Sequence, residues 1–122
     1  MTEDRSTAQA LGKSGEEAAV RYLKSKKFRI IERNFRFLRG EIDIIAYEKK
    51  TLVFLEVKAR KSKEFGLPEE SVTHSKQRQI KKVAKGFLAQ NNLLDVQCRF
   101  DVLSLSFDEK KGYQINHIQD AF

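Results

Sequence analysis

Apolar positions along this chain recur with two different periods, and the switches between them mark out the elements. Between Ser14 and Lys26, Ala18, Ala19, Tyr22 and Leu23 form a narrow stripe at helical spacing with charged residues elsewhere. That pattern predicts a helix starting at Ala8 or Ser14, and Ser14 with Glu17 has the S-x-x-E spacing of a capping box. Glu16 lies near the edge of the stripe. The period then shortens to two. A short strand is expected around Phe28–Arg33, a second in "GEIDIIAY" and a third in "TLVFLEVKAR", the last two joined as a hairpin by a short polar turn. "KSKEFGLPEE", with the only Pro, reads as a loop. Val72, Ile80, Val83, Ala84, Phe87 and Leu88 restore the helical period, predicting a helix over residues 71–91. Strands in "VQCRFDVLSLSF" and "GYQINHI" close the chain.

The order αβββαββ calls for an α/β (α+β) domain with a central mixed sheet flanked by helices. Residues 1–10 are polar and are expected to form a flexible N-terminus, leaving 11–122 as a single domain. A chain of 122 residues with nine Phe has the material for a core without staples.

One strand breaks its own pattern. In "TLVFLEVKAR", Leu52, Phe54, Glu56 and Lys58 share one face, and Val53, Leu55 and Val57 the other. Both faces are apolar until the end, as in a central strand covered on both sides. In the preceding strand Glu41, Asp43 and Ile45 share a face, opposite Ile42 and Ile44. Pairing as a hairpin brings Asp43 towards Glu56, away from the turn. Two carboxylates held together raise each other's energy. A divalent cation offsets this directly, since Mg2+ binds through one or two carboxylates and keeps several waters. Lys58, two residues beyond Glu56, is placed to act on a water or a phosphate. Asp43, Glu56 and Lys58 therefore suit metal-assisted phosphodiester hydrolysis. Taken alone, E-x-K is commonly a plain ion pair at the end of a strand, and Glu41 rivals Asp43 because both point the same way.

Charge extends this reading. Lys and Arg number 24 against 17 Asp and Glu, giving a formal charge of +7, which favours polyanions. Arg36, Arg39 and Arg60 flank the acidic end of the hairpin, and Lys76, Gln77 and Arg78 open the second helix. All six are candidate nucleic-acid contacts, with an ordinary solvated face as the alternative. Asp101, in the apolar "RFDV", is expected to pair with an Arg. His74, His117 and the single Cys98 are too few and too scattered for a zinc site. Cys98 excludes an intramolecular disulfide and is expected to be a small buried residue. No apolar run approaches the roughly 18 residues of a membrane span, and the N-terminus lacks a signal-peptide pattern, so a cytoplasmic setting is expected.

Several segments together carry a resemblance. They are Gly12 with Glu16 and Ala19, "RNFR" at 33–36, "GEIDIIA" at 40–46, "VFLEVKAR" at 53–60, "SVTHSKQ" at 71–77, "CRFDV" and the closing "IQDAF". In this order they resemble the YraN-like family of uncharacterised bacterial proteins, which is similar in fold to archaeal Holliday junction resolvases. The hairpin itself resembles that of the PD-(D/E)-x-K nuclease superfamily, with its restriction-endonuclease-like core, although the literal Pro-Asp pair is missing. The resemblance implies that Asp43 and Glu56, with the Val57 carbonyl, bind Mg2+ or Mn2+. It implies that Lys58 is the catalytic lysine and that Glu16 is an acid aimed from the helix at the same site, its alternative being a solvated glutamate. It favours Asp43 over Glu41, and places Lys76 and Gln77 near DNA or the active site. The implied function is a metal-dependent endonuclease acting on DNA, branched or junction DNA in particular, with a homodimer to cut two strands. Two other readings stand beside it: a non-catalytic nucleic-acid-binding module with this fold, and an interaction protein in which Asp43, Glu56 and Lys58 form a structural cluster.

Overall fold

A computed structural model of the chain describes residues 3–61 and 72–122, with side chains from residue 13 onward. The elements are α1 (Glu3–Ser25), β1 (Arg29–Phe37), β2 (Gly40–Glu48), β3 (Thr51–Lys61), α2 (His74–Gln90), β4 (Gln97–Asp108) and β5 (Gly112–Ile118). The strands form one sheet in the order β1-β2-β3-β4-β5. β3 and β4 run parallel and every other pair is antiparallel. The parallel pair needs a crossover, and α2 lies within it.

The sheet is covered on both faces. Ala18, Ala19 and Leu23 of α1 pack on Ile44, Val53, Leu55 and Leu103. Ile80, Val83, Ala84 and Phe87 of α2 pack on Ile42, Leu52, Phe54 and Val102. β3 is thus a buried central strand whose side chains alternate between the two cores, as its sequence requires. Gly15 lets α1 approach that strand closely, because a Cβ there would lie 2.6 Å from the Ala59 Cβ.

Several expectations need correction. The first helix already starts at Glu3, so Ser14 and Glu17 are interior residues and form no capping box. The Ser14 hydroxyl instead hydrogen bonds with that of Tyr113. β1 continues to Phe37 because Arg33, Phe35, Arg36 and Phe37 pair with β2. The second helix starts at His74, where Thr73 caps it by accepting from the Lys76 N–H at 3.1 Å. Cys98 is exposed rather than buried, since β5 pairs with β4 only from Val102 onward and leaves the start of β4 as an open edge. The loop read in "KSKEFGLPEE" falls, from residue 62 on, outside the described residues.

Asp101 is fully buried and fully served. Arg99 donates to both its oxygens at 2.9 Å, His117 Nε2 lies 2.8 Å from Oδ2, and the Asp120 N–H donates to Oδ1. Burial alone would push this carboxyl up, but the bonds from His117, Arg99 and Asp120 outweigh it and hold it below its ordinary value. The expected arginine partner is therefore found, with His117 and the chain end bound to the same carboxylate. Asp101→Asn leaves Arg99 and His117 without their counter-charge. It is expected to lower stability by about 3–5 kcal/mol in urea denaturation, and a loss below about 1 kcal/mol would contradict this account.

Candidate functional site

β2 and β3 pair from the Glu48–Thr51 end as far as Ile44–Leu55, and their ladder stops there. β2 nevertheless stays paired with β1 back to Gly40. The two strands therefore part at one end of the sheet, one residue before Asp43 would have faced Glu56. The side-chain alternation of β2 breaks at the same place. Ile42 and Ile45 both join the α2 core, whereas the sequence put them on opposite faces. Asp43, between them, lies just beyond the last pair of the β2–β3 ladder. Its Oδ2 accepts the Val57 N–H at 2.8 Å, supplying the bond that the interrupted ladder no longer gives.

This places Asp43 against Glu56. The Glu56 side chain is 7% exposed. Burial, then the hydrogen bond and negative charge of Asp43, push its carboxyl up to about 8, against the opposing charges of Lys76 and Lys58. Lys76 reaches over from α2, its Nζ 3.8 Å from Glu56 Oε2, too long for a hydrogen bond. Oε2 is buried and has no hydrogen-bond partner. A recess of about 330 Å³ opens beside Asp43, lined by Glu16, Asp43, Val57, Lys58 and Ala59, with Glu56 outside its lining. Two buried-end carboxylates, one with an unused oxygen, could hold a hard divalent cation such as Mg2+ or Mn2+. Among the described residues no group of three or more His, Cys, Asp or Glu is gathered, so the donor set is this oxygen pair.

The other candidates divide. Glu16 lines the recess, but its Oε1 is occupied by Asn34 Nδ2 at 3.0 Å and Arg33 Nη2 at 3.3 Å. Arg33 also binds Glu17 at 2.8 Å, which lowers the Glu17 carboxyl. Glu41 is paired with Arg36 at 3.0 Å rather than with the recess, which separates it from Asp43. Gln77 donates to the Val72 carbonyl at 3.0 Å. Arg39 and Arg78 line a different, larger groove beside α2. Lys76 on Glu56 and Arg33 with Asn34 on Glu16 are contacts the residue pattern did not assign. "RNFR" and "SVTHSKQ", among the segments that carry the resemblance, contain them.

The model of the family described as "Uncharacterised protein family UPF0102" matches residues 15–105, a span that includes α1 from Gly15, both site strands and α2. The chain belongs to this family. It is the YraN family that the sequence segments resemble. A UPF0102 protein of Geotalea uraniireducens is 50% identical over 121 residues, covering 99% of this chain and 95% of that one. A UPF0102 protein of Chlorobaculum tepidum is 50% identical over 119 residues, covering 93% and 92%. One of Caldicellulosiruptor saccharolyticus is 46% identical over 113 residues, covering 92% and 96%. The names of these UPF0102 relatives assign no activity.

The raised Glu56 carboxyl has a consequence for stability. With its folded value above the ordinary 4.5, the metal-free protein takes up a proton on folding between about pH 4.5 and 8. The stability due to protonated Glu56 is present at the low end of that window and lost as pH rises through about 8. In EDTA the Tm should fall between about pH 6 and about pH 9, and Glu56→Gln should flatten that fall. An equal fall in wild type and Glu56→Gln would place the titrating group elsewhere.

Proposed function

We propose that this protein is a divalent-metal-dependent endonuclease acting on DNA in a cytoplasmic setting, with branched DNA as its preferred substrate and a two-fold dimer as its working form. The observation that carries the reading is the forced meeting of Asp43 and Glu56, with no hydrogen bond on the buried Glu56 Oε2 and with Asp43 lining a recess that also holds Lys58. Asp43, Glu56 and the Val57 carbonyl would hold Mg2+ or Mn2+. When bound, the cation would supply positive charge against the negative charge that builds up on the scissile phosphate.

The remaining roles belong to this chain's own groups. Asp43 keeps the Val57 main chain in place through the bond from its N–H. Lys58, in the recess, offsets charge on the phosphate and orients the attacking water. Glu16, held by Arg33 and Asn34, stands on the far wall, where a carboxylate can take a proton from that water. The water oxygen bonds to phosphorus, one P–O ester bond breaks, and the departing oxygen takes up a proton from solvent.

One observation favours a second reading. The Lys76 ammonium already lies near Glu56 and offsets part of its charge, as it would in a non-catalytic nucleic-acid-binding module with this fold.

The two readings separate in one experiment. Four-way junctions, flaps and duplexes are incubated with Mg2+, Mn2+ or EDTA. The nuclease reading expects cleavage with metal and none with EDTA. Asp43→Asn and Glu56→Gln should lose both metal affinity by calorimetry and cleavage. Lys58→Ala should keep the metal but cut about 100-fold or more slowly. Cleavage surviving in Asp43→Asn would come from a different site, and no calorimetric binding at millimolar Mn2+ would favour the binding module.

A further inference from the structure

A basic groove lies apart from the acid pair. It is a groove of about 740 Å³ between the β1–β2 turn and the first half of α2. Arg39 on the turn and Arg78 and Lys82 on the helix line it, and none of its lining residues is acidic. Two other cations of α2 are engaged elsewhere. Lys76 faces Glu56, and Lys81 lies over the Phe100 and Phe122 rings at 5.8 and 5.9 Å. Arg78 and Lys82, one helical turn apart, both face the groove.

The turn that forms the other wall is held firmly. Gln79 Nε2 donates to the Arg39 carbonyl at 3.2 Å. Gly40 sits where any Cβ would collide with the Val83 side chain, so the turn lies directly on the helix. Phe37 covers Gly86 in the same way. On this fixed mount Leu38 stands out, 74% exposed and with φ +57°. A two-residue hairpin loop with positive φ at its first position is ordinarily given to Gly. A bulky apolar residue held there against its conformational preference, at the lip of a basic groove, points to a contact that uses its side chain.

We propose that this groove seats a single strand of nucleic acid, with phosphates on Arg39, Arg78 and Lys82 and an unstacked base against Leu38. Charge complementarity selects a polyanion. The exposed leucine selects its form, because a duplex presents phosphates and base edges, whereas an unpaired strand offers base faces to an apolar side chain. The groove reaches the start of β2: Gly40, in its lining, lies three residues before Asp43, about 10 Å along the strand. On the nuclease reading, on which this last step alone rests, a strand seated here leads towards the acids, and the substrate is DNA with an unpaired arm.

The test is fluorescence anisotropy in EDTA, so that binding is measured without cleavage. An oligothymidine and a blunt duplex of equal length are titrated over a range of salt. Wild type should bind the single strand about tenfold more tightly than the duplex. Leu38→Gly should lose that preference while leaving duplex affinity unchanged, and its Tm should equal or exceed that of wild type because the strained φ is relieved. A purely structural Leu38 would lower Tm on substitution. Arg78→Ala with Lys82→Ala should weaken both ligands and reduce the salt slope by about two. Equal affinity for duplex and single strand, or an unchanged single-strand affinity in Leu38→Gly, would overturn the proposal. So would an acidic peptide that binds as tightly, or self-association that Leu38→Gly abolishes. Strand binding without any metal-dependent cleavage would leave the groove standing and remove the nuclease reading; cleavage without strand preference would do the reverse.

Discussion

The parting of β2 from β3 beyond the Ile44–Leu55 pair is the constraint on which the site depends. A buried central strand cannot leave main-chain donors unserved, and Val57 loses its neighbour where the ladder ends. Asp43 fills the gap with its carboxylate. That bond fixes the first acid, and the alternation of β3 fixes the second, Glu56, in nearly complete burial beside it. Neither charge would be held there by packing alone. The approach of α1 at Gly15 then sets Glu16 on the wall of the same recess, and α2 brings Lys76 to Glu56. One interrupted ladder thus gathers contributions from four elements.

The architecture was legible where burial repeats with a period. β3 carries apolar residues on both faces and β5 follows turn residues, so their residue patterns mark both almost to their ends. The Asp43–Glu56 meeting followed from hairpin geometry. Its detail did not, because sequence carries no mark of where a ladder stops, and the alternation of β2 was continued past the point where the strands part. S-x-x-E at Ser14 misled for a related reason: local spacing cannot tell the start of a helix from its interior. Cys98 depended on how far β5 extends along β4, a tertiary matter. His117 as a partner of Asp101 joins residues sixteen apart across two strands, and only the register of β4 with β5 reveals it.

Charge is distributed with the same economy. Of the basic residues, Arg99 is spent on Asp101 and Glu48, Arg33 on Glu16 and Glu17, and Arg36 on Glu41. The +7 balance is therefore not a uniform coat. Arg39, Arg78 and Lys82 gather in one groove between α2 and a turn whose conformation disfavours the leucine it carries.

Whether the acid pair is a cation site can be read directly from crystals soaked in Mn2+, by anomalous scattering. The account predicts one peak between the carboxylates of Asp43 and Glu56, with the Lys76 ammonium moved away from Glu56. A map with no peak there and Lys76 still beside Glu56 would contradict it, and would make the pair a structural ion cluster.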